Sequence, residues 1–184
     1  MDNGLSSYNR FLSGEKDAID EIIKNYKDGL VFYLYGITKD MQLAEESAID
    51  AFVKLYVDKP KFKGNGAFKT WIYTIGRNKA YDAMRKLSKM QWENIDDAYD
   101  ISDGNDIEEN VAENETRNYL RKIVSKLKPE YSQAIYLVFF ENFTNDEAAK
   151  IMNKSNKQIR DLLYRAKTTL KKELAKEGMG FYGL

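Results

Sequence analysis

Residues 61–89 read KFKGNGAFKTWIYTIGRNKAYDAMRKLSK, a glycine-broken loop followed by what we predict is one long helix. The apolar residues of the helical part recur at the three- and four-residue spacing of a single buried face. This predicted buried face comprises Phe68, Trp71, Ile72, Ile75, Ala80, Ala83, Met84 and Leu87. The pattern indicates a helix that packs against other helices along most of its length.

A second line of side chains on the same helix alternates cations with aromatic rings in steps of four. Because a turn holds about 3.6 residues, each step drifts by roughly 40° and the line winds slowly around the helix. Residues 59–89 carry nine basic residues and one acidic residue, a local net charge of +8. Cations bind phosphates and aromatic faces accept unstacked bases, so the stretch predicts a nucleic-acid surface. The alternative is a solvated face with half-buried tyrosines. The line comprises Lys69, Tyr73, Arg77, Tyr81, Arg85 and Lys89.

The composition limits the classes of fold and function. A chain of 184 residues holds one ordinary domain or two small ones. Helix formers dominate and only two prolines interrupt them, which predicts an all-α fold. Cys and His are both absent, so disulfides, thiolate chemistry and the usual zinc ligands are excluded. We therefore expect no catalytic residues, no metal and no cofactor. The apolar runs are too short for a membrane span, and the N-terminus lacks the layout of a secretion signal.

The net charge of zero conceals three charge blocks. Besides the basic block at residues 59–89, residues 91–116 hold ten acidic residues and no basic ones. Residues 150–176 hold nine basic residues against two acidic ones, a net of +7. This pattern predicts two basic domains joined by an acidic, extended linker.

The N-terminal domain is predicted to contain three helices. We expect residues 1–14 to be frayed, a first helix to begin near Glu15 and to end at Gly36, and a second helix over residues 41–57. The second helix turns Ala44, Ala48, Phe52 and Leu55 inward. Its acidic residues Glu45, Glu46 and Asp50 lie on other faces, which indicates either a protein-binding surface or charge that serves solubility alone.

The C-terminal domain contains the sharpest local signal of the chain. Residues 144–147, TNDE, and residues 155–158, SNKQ, are two capping boxes, each of which marks the start of a helix. Asn153 between them suits the left-handed position of a tight turn. Short helix, turn and long helix form a helix-turn-helix, whose second helix enters the major groove of DNA. The alternative is a helical hairpin that only packs. The outward residues of the second helix are Asn156, Lys157, Gln158, Arg160, Asp161, Tyr164 and Arg165.

Taken together, the sequence resembles the extracytoplasmic function (ECF) sigma factors of the sigma-70 family. Three stretches carry the resemblance: residues 44–52 (AEESAIDAF), residues 68–82 (FKTWIYTIGRNKAYD) and residues 142–149 (NFTNDEAA), followed by residues 159–167 (IRDLLYRAK). The resemblance implies two small helical domains: a three-helix sigma region 2 over residues 1–89 and a helix-turn-helix sigma region 4 over residues 117–184. Residues 90–116 would form the acidic flexible linker.

The resemblance also implies roles for individual residues. The −10 element of a promoter would be bound by the first domain and the −35 element by Ser155 and the outward residues of the recognition helix. RNA polymerase core would contact the acidic helix through its β′ clamp helices. The family usually has Gln where Ile49 stands, which puts the strength of that contact in question. The residues implied for polymerase are Glu45, Glu46, Ile49 and Asp50. Those implied for DNA are Lys61, Lys63, Asn65, Lys69, Tyr73, Arg77, Lys79, Ser155, Asn156, Lys157, Gln158, Arg160, Tyr164 and Arg165.

The partners implied are RNA polymerase core (β′ and β), promoter DNA and an anti-sigma factor, with no membrane insertion. The location would be cytoplasmic, or at the membrane through an anti-sigma partner. Two other classes of protein remain open on the residues. One is a helix-turn-helix DNA-binding regulator that acts without polymerase core. The other is a helical interaction protein that binds no nucleic acid.

Overall fold

A computed structural model describes residues 4–64, 67–93 and 115–176. The chain divides into two compact units, Met1–Gly104 and Asn105–Leu184. Within the described residues the regular structure is helical throughout and contains no strand, as the composition predicts. The predicted linker overlaps the ends of two helices, because residues 90–93 and 115–116 are helical. Residues 94–114 lie outside the described residues, so the acidic linker stays a prediction.

The described residues of the N-terminal unit form four helices: α1 (Leu5–Leu12), α2 (Ala18–Thr38), α3 (Met41–Asp58) and α4 (Phe68–Glu93). The three predicted helices are α2, α3 and α4, which pack against one another. Helix α1 is an addition, and the expectation of a frayed N-terminus is wrong for residues 5–12, while residues 1–3 lie outside the described residues. Tyr8 and Phe11 of α1 are almost completely buried, and this burial offsets the entropy cost of ordering the segment.

Helix α2 ends two residues later than predicted. Gly36 does not end α2 but is buried within it, and the helix continues to Thr38. Lys39 takes the left-handed conformation that ends the helix, with φ of 58°. Asp40 then begins α3, since its Oδ1 accepts a hydrogen bond from the backbone N–H of Leu43 at 3.0 Å.

Helix α4 lies against α2 and α3. Gly76 makes a close approach to α2 possible, because a Cβ at this position would lie 2.8 Å from Cδ1 of Leu30. The first half of α4 buries Phe68, Ile72 and Ala80 as predicted. Leu87 was expected in the same buried face, but it is 45% exposed. The residues of α4 from Tyr81 to Met90 are all half-buried or exposed, so the bundle covers only the first part of the helix.

The C-terminal unit contains α5 (Glu115–Lys126), α6 (Pro129–Ile135), a π-helical turn (Tyr136–Phe140), α7 (Asn145–Met152) and α8 (Asn156–Lys176). Pro129 occupies the first turn of α6, where its missing N–H costs no hydrogen bond. Helix α8 packs against α5, α6 and α7 through one apolar stripe. The buried residues of this stripe are Ile159, Leu163, Ala166, Leu170 and Leu174.

Candidate nucleic-acid and protein interfaces

The acidic face of α3 consists of Glu45, Glu46, Ile49 and Asp50, and all four residues are exposed. The inward residues Ala44, Ala48, Phe52 and Leu55 are buried as predicted, which fixes this acidic face outward. Ile49 is 55% exposed among these carboxylates, and a single exposed apolar residue is by itself ordinary on a protein surface.

An exposed apolar stripe continues from Ile49 along α3. Val53, Tyr56 and Val57 are 49%, 49% and 67% exposed, and they follow Ile49 at four, seven and eight residues. This spacing places them on one face of the helix. A mixed acidic and apolar surface of this kind is typical of a protein-binding site. The stripe was not predicted from the sequence, although α3 has more apolar residues than its inward face requires.

The basic segment, residues 59–64, connects α3 to the loop before α4. Lys61 and Lys63 are exposed, while the ring of Phe62 between them lies 5.3 Å from the ring of Trp71. Because basic and apolar residues alternate in this segment, both lysines point to solvent, where they are able to bind phosphate. Asn65, the third residue predicted to bind DNA in this loop, lies outside the described residues.

The line of alternating cations and aromatic rings on α4, here called the cation–aromatic row, contains one residue that was wrongly predicted to bind DNA. Tyr73 was expected to bind DNA, yet its side chain is completely buried and its ring lies 5.6 Å from that of Tyr33. A base therefore has no access to this ring in the folded protein. The row drifts around the helix, so it faces the core at Tyr73 and reaches the exposed surface at Arg85 and Lys89. Tyr33 is itself buried, and burial raises the pKa of its hydroxyl.

The cations beside Tyr73 lie partly against aromatic rings. Lys69 Nζ lies 5.7 Å from the ring centroid of Tyr73, and Arg77 Cζ lies 4.6 Å from that of Tyr81. Both cations are half-buried. Nε of Arg77 is buried without a hydrogen-bond partner among the described residues. The row therefore offers a recessed cationic edge with Tyr81 as its aromatic member. Trp71, half-buried nearer the start of α4, is a second ring, which was predicted to belong to the core alone.

Lys79 joins the two predicted surfaces of the N-terminal unit. Its Nζ lies 3.8 Å from Oδ2 of Asp50, so a residue predicted to bind DNA pairs with one predicted to bind polymerase. The Lys79 and Asp50 side chains are 33% and 62% exposed. A pair this accessible is weak and exchanges readily with other partners.

Both predicted capping boxes are present in the helix-turn-helix. The Thr144 backbone N–H donates to Glu147 Oε2 at 2.9 Å, and the Glu147 N–H donates to Thr144 Oγ1 at 3.3 Å. Ser155 and Gln158 exchange the same two bonds at 2.8 and 3.2 Å. Asn153 is left-handed with φ of 53°, as predicted. These bonds fix where the recognition helix α8 begins.

The polar residues at the start of α8 separate into two groups. Gln158 Oε1 accepts the Ser155 N–H, and Asn156 Nδ2 donates to Asp146 Oδ1 at 2.5 Å. Their amides are thus already used within the protein, which disfavours the paired hydrogen bonds that read adenine. The side chains that point outward without such ties to the turn are those of Lys157, Arg160, Asp161, Tyr164 and Arg165, all exposed, with Tyr164 at 77%.

Two further contacts hold the C-terminal unit around this helix. Lys154, in the turn, forms an ion pair with Glu130 of α6 at 2.7 Å. Lys167 of α8 lies over the ring of Phe139 at 4.4 Å. These lysines serve the fold, so the count of basic residues overstates the cations that face outward.

Across residues 4–64, 67–93 and 115–176, no helix is both long and apolar enough to cross a membrane. The same stretches contain no group of three or more acidic side chains placed to hold a metal ion.

Two family models match the chain, one in each unit. Residues 22–90 match sigma-70 region 2, and residues 117–170 match sigma-70 region 4. The first match includes α3, the basic segment and nearly all of α4. The second includes the complete turn and most of α8.

Curated relatives from Bacillus subtilis (strain 168) match most of the chain. RNA polymerase sigma factor YlaC is 26% identical over 163 residues, which are 88% of this chain and 94% of the relative. ECF RNA polymerase sigma factor SigW is 27% identical over 170 residues, 88% of this chain and 91% of the relative. ECF RNA polymerase sigma factor SigM is 28% identical over 154 residues, 84% and 93% respectively.

Two solved structures share the fold. One is the sigma factor RpoE in complex with the anti-sigma factor NepR from Bartonella quintana, with a TM-score of 0.69, 19% identity and coverage of 86% of this chain and 98% of that one. The other is CnrH in complex with the cytosolic domain of CnrY, with a TM-score of 0.63, 18% identity and coverage of 95% and 99%.

Proposed function

The chain belongs to the ECF group of the sigma-70 family, and from that premise we propose that it is a transcription initiation factor that binds RNA polymerase core and directs it to promoters. One observation carries the proposal. The two sigma-70 regions occur in order along one chain, and each presents exposed cations within the residues that its family match covers: Lys61 and Lys63 in the first, and Lys157, Arg160 and Arg165 in the second. The protein would supply binding energy and position, while polymerase performs the chemistry.

The −35 element is the proposed ligand of α8. A capped helix presents its N-terminal side chains to base edges in the major groove. Arg160 suits guanine or phosphate, and Lys157 and Arg165 suit phosphate. Ser155 and Asn156 lie at the turn and contribute positioning, since their polar groups already hold the helix start.

The −10 element is the proposed ligand of the basic segment and α4. Lys61, Lys63 and Lys69 would hold the phosphates of the opened strand, and Arg77 would add its recessed guanidinium edge. Unstacking a base costs a few kcal/mol, which phosphate contacts and an aromatic face offset. Because Tyr73 is buried, we assign the aromatic contact to Trp71 or Tyr81.

The acidic face of α3 is the proposed contact for RNA polymerase core. Phosphate would be repelled by Glu45, Glu46 and Asp50, whereas a basic protein surface would be attracted. Ile49 and the stripe beyond it supply the apolar area that a stable protein contact needs. Action on RNA polymerase also implies a cytoplasmic location. An anti-sigma factor is a further proposed partner, because the similar sigma factor RpoE was solved in complex with the anti-sigma factor NepR.

Transcription from a promoter library tests the proposed function. The purified chain and bacterial core polymerase are incubated with templates that carry randomised promoter regions, and the transcripts are sequenced. We expect transcripts that start downstream of two shared motifs. Glu46→Lys should reduce transcription, while the control Asp28→Lys, which reverses an exposed charge on α2, should not.

Two other outcomes would reject the proposal. Duplex binding without any stimulation of polymerase would favour the helix-turn-helix regulator. The acidic and apolar surface of α3 argues against that alternative, because a regulator acting alone has no need of it. Absence of both DNA binding and polymerase binding would leave only a helical interaction protein.

A further inference from the structure

Helix α1 lies outside both family matches, the first of which begins at residue 22, yet it contacts the basic segment. Tyr8 is completely buried, and its hydroxyl donates a hydrogen bond to the backbone carbonyl of Pro60 at 2.8 Å. The two residues are separated by 52 positions in the chain. Burial raises the pKa of Tyr8 to about 12, so the hydroxyl keeps the proton that it donates at neutral pH.

The ring of Tyr8 contacts the start of α4 as well. Its centroid lies 5.5 Å from those of Phe68 and Trp71. Trp71 also contacts Phe62, the apolar residue between the two exposed lysines of the basic segment. Tyr8 is therefore linked to the segment twice, through the carbonyl of Pro60 and through Trp71.

Phe11, one turn later in α1, contacts the beginning of the segment. Its ring lies 5.5 Å from that of Tyr56 at the end of α3, and the ammonium of Lys59 lies 5.2 Å from its centroid. Lys59 has φ of 45°, the left-handed turn at which the chain leaves α3. Helix α1 thus contacts both the exit from α3 and the entry into α4.

The beginning of α1 packs equally closely against its neighbours in the N-terminal unit. Gly4 is buried with φ of +73°, and a Cβ at this position would lie 2.5 Å from Cδ1 of Phe68 and 2.6 Å from the Tyr26 hydroxyl. Any other residue would displace α1 from the first residue of α4. The fit is therefore specific, and helix α1 does not merely cover an apolar surface.

From these contacts we propose that α1 is a positioning element of the strand-binding site, and that Tyr8 sets the path of the basic segment so that Lys61 and Lys63 face the nucleic acid. Residues 59–64 have no regular secondary structure to hold them. A segment held in its binding path loses less conformational entropy when DNA binds, which raises affinity. The inference rests on the proposed function, because it assumes that these lysines bind the opened strand.

Tyr8→Phe in the full chain tests the proposal, because it removes one hydroxyl and keeps the ring. The probe is a fluorescein-labelled pool of random single-stranded DNA 12-mers, followed by anisotropy. We expect affinity to fall by about three- to tenfold, the range for one lost hydrogen bond. The matched control is Tyr35→Phe, the same change at a half-buried tyrosine of α2, which should leave affinity unchanged.

A double-mutant cycle separates positioning from a general loss of stability. If Tyr8 acts through the lysines, Tyr8→Phe should cause no further loss in a chain that already carries Lys61→Gln and Lys63→Gln. The same fold-loss in both backgrounds would overturn the proposal. So would an affinity loss fully accounted for by a lower folded fraction, measured by circular dichroism.

A ligand-free measurement follows the segment directly. Acetylation rates of Lys61 and Lys63, measured by mass spectrometry, should change in Tyr8→Phe while that of Lys24 on α2 stays constant. Gly4→Ala, which displaces α1 by a different route, should produce the same change, and unchanged rates in both variants would reject the positioning role. If the unmodified chain fails to bind the probe, the strand-binding part of the proposed function fails first.

Discussion

Helices α4 and α8 carry nearly equal positive charge in the sequence but present it differently. In α4 the first part of the row lies against the bundle, so Tyr73 is fully buried and Lys69 and Arg77 are half-buried. In α8 the apolar stripe stays on one side, and Arg160 and Tyr164 remain exposed. The comparison teaches that the neighbours of a basic helix, more than its charge, decide which cations reach a ligand.

The largest expected effect is a difference in stability between substitution of the buried Tyr73 and substitution of the exposed Tyr164. Tyr73→Ala should lower the free energy of unfolding of the N-terminal unit by about 3–5 kcal/mol, because it leaves a cavity in the core. Tyr164→Ala should change the stability of its unit by no more than about 0.5 kcal/mol. Urea denaturation followed by circular dichroism measures both, and equal losses would contradict the difference between the two helices.

The next effect concerns the cations of α8. Arg160→Ala should weaken binding to a −35-type duplex by about 1–3 kcal/mol while leaving stability unchanged, because the side chain is exposed. Gel-shift titration at fixed salt, on templates chosen by the library selection, measures the loss. Lys171→Ala, also exposed but further along α8, is the matched control. Equal losses in both variants would show that α8 binds only by charge.

A third prediction separates capping from base reading at the start of α8. Gln158→Ala removes the acceptor of the Ser155 N–H and should destabilise the C-terminal unit by about 1 kcal/mol. Because the amide is used in the cap, DNA affinity should fall by a similar factor on every template. A loss confined to templates with one particular base would instead identify Gln158 as a reader of that base.

The smallest expected effect concerns Lys39, a partly buried cation of the N-terminal unit that lies outside the cation–aromatic row. Burial lowers the pKa of Lys39 to about 8, below its usual 10.5. The unfolded chain therefore binds more protons between these values, and stability should rise as pH increases from 8 to 10.5. The gain should be small because the side chain stays partly hydrated. Stability measured by thermal unfolding should not rise in this way for Lys39→Gln. If the stability of both proteins changed with pH in parallel, the lowered pKa of Lys39 would be contradicted.

Most of the helices followed from local patterns in the sequence. The two capping boxes, Pro129 and Asn153 each act through neighbouring backbone groups, so their structural roles are visible in a few residues. The inward residues of α3 follow from spacing alone. The ECF sigma-factor family was identified correctly because its motifs occupy both units in the expected order.

The errors arose where contacts are distant in the chain. The sequence of α1 looks polar, and only its contacts with Pro60, Phe68 and Trp71 show why it is ordered. The burial of Tyr73 depends on Tyr33, which lies on another helix. Leu87 was expected inside because its spacing is correct, yet the bundle ends before it. Periodicity shows which face is apolar, but not how far the neighbouring helices extend.

The pair formed by Lys79 and Asp50 gives the N-terminal unit an electrostatic linkage. Under the proposed function, a protein that takes over the carboxylate of Asp50 would release the ammonium of Lys79 for a phosphate. By reciprocity, a phosphate at Lys79 would release Asp50 for that protein. Each ligand would thereby favour the other, and Asp50→Asn would weaken this cooperation while it raises the affinity of the isolated chain for DNA.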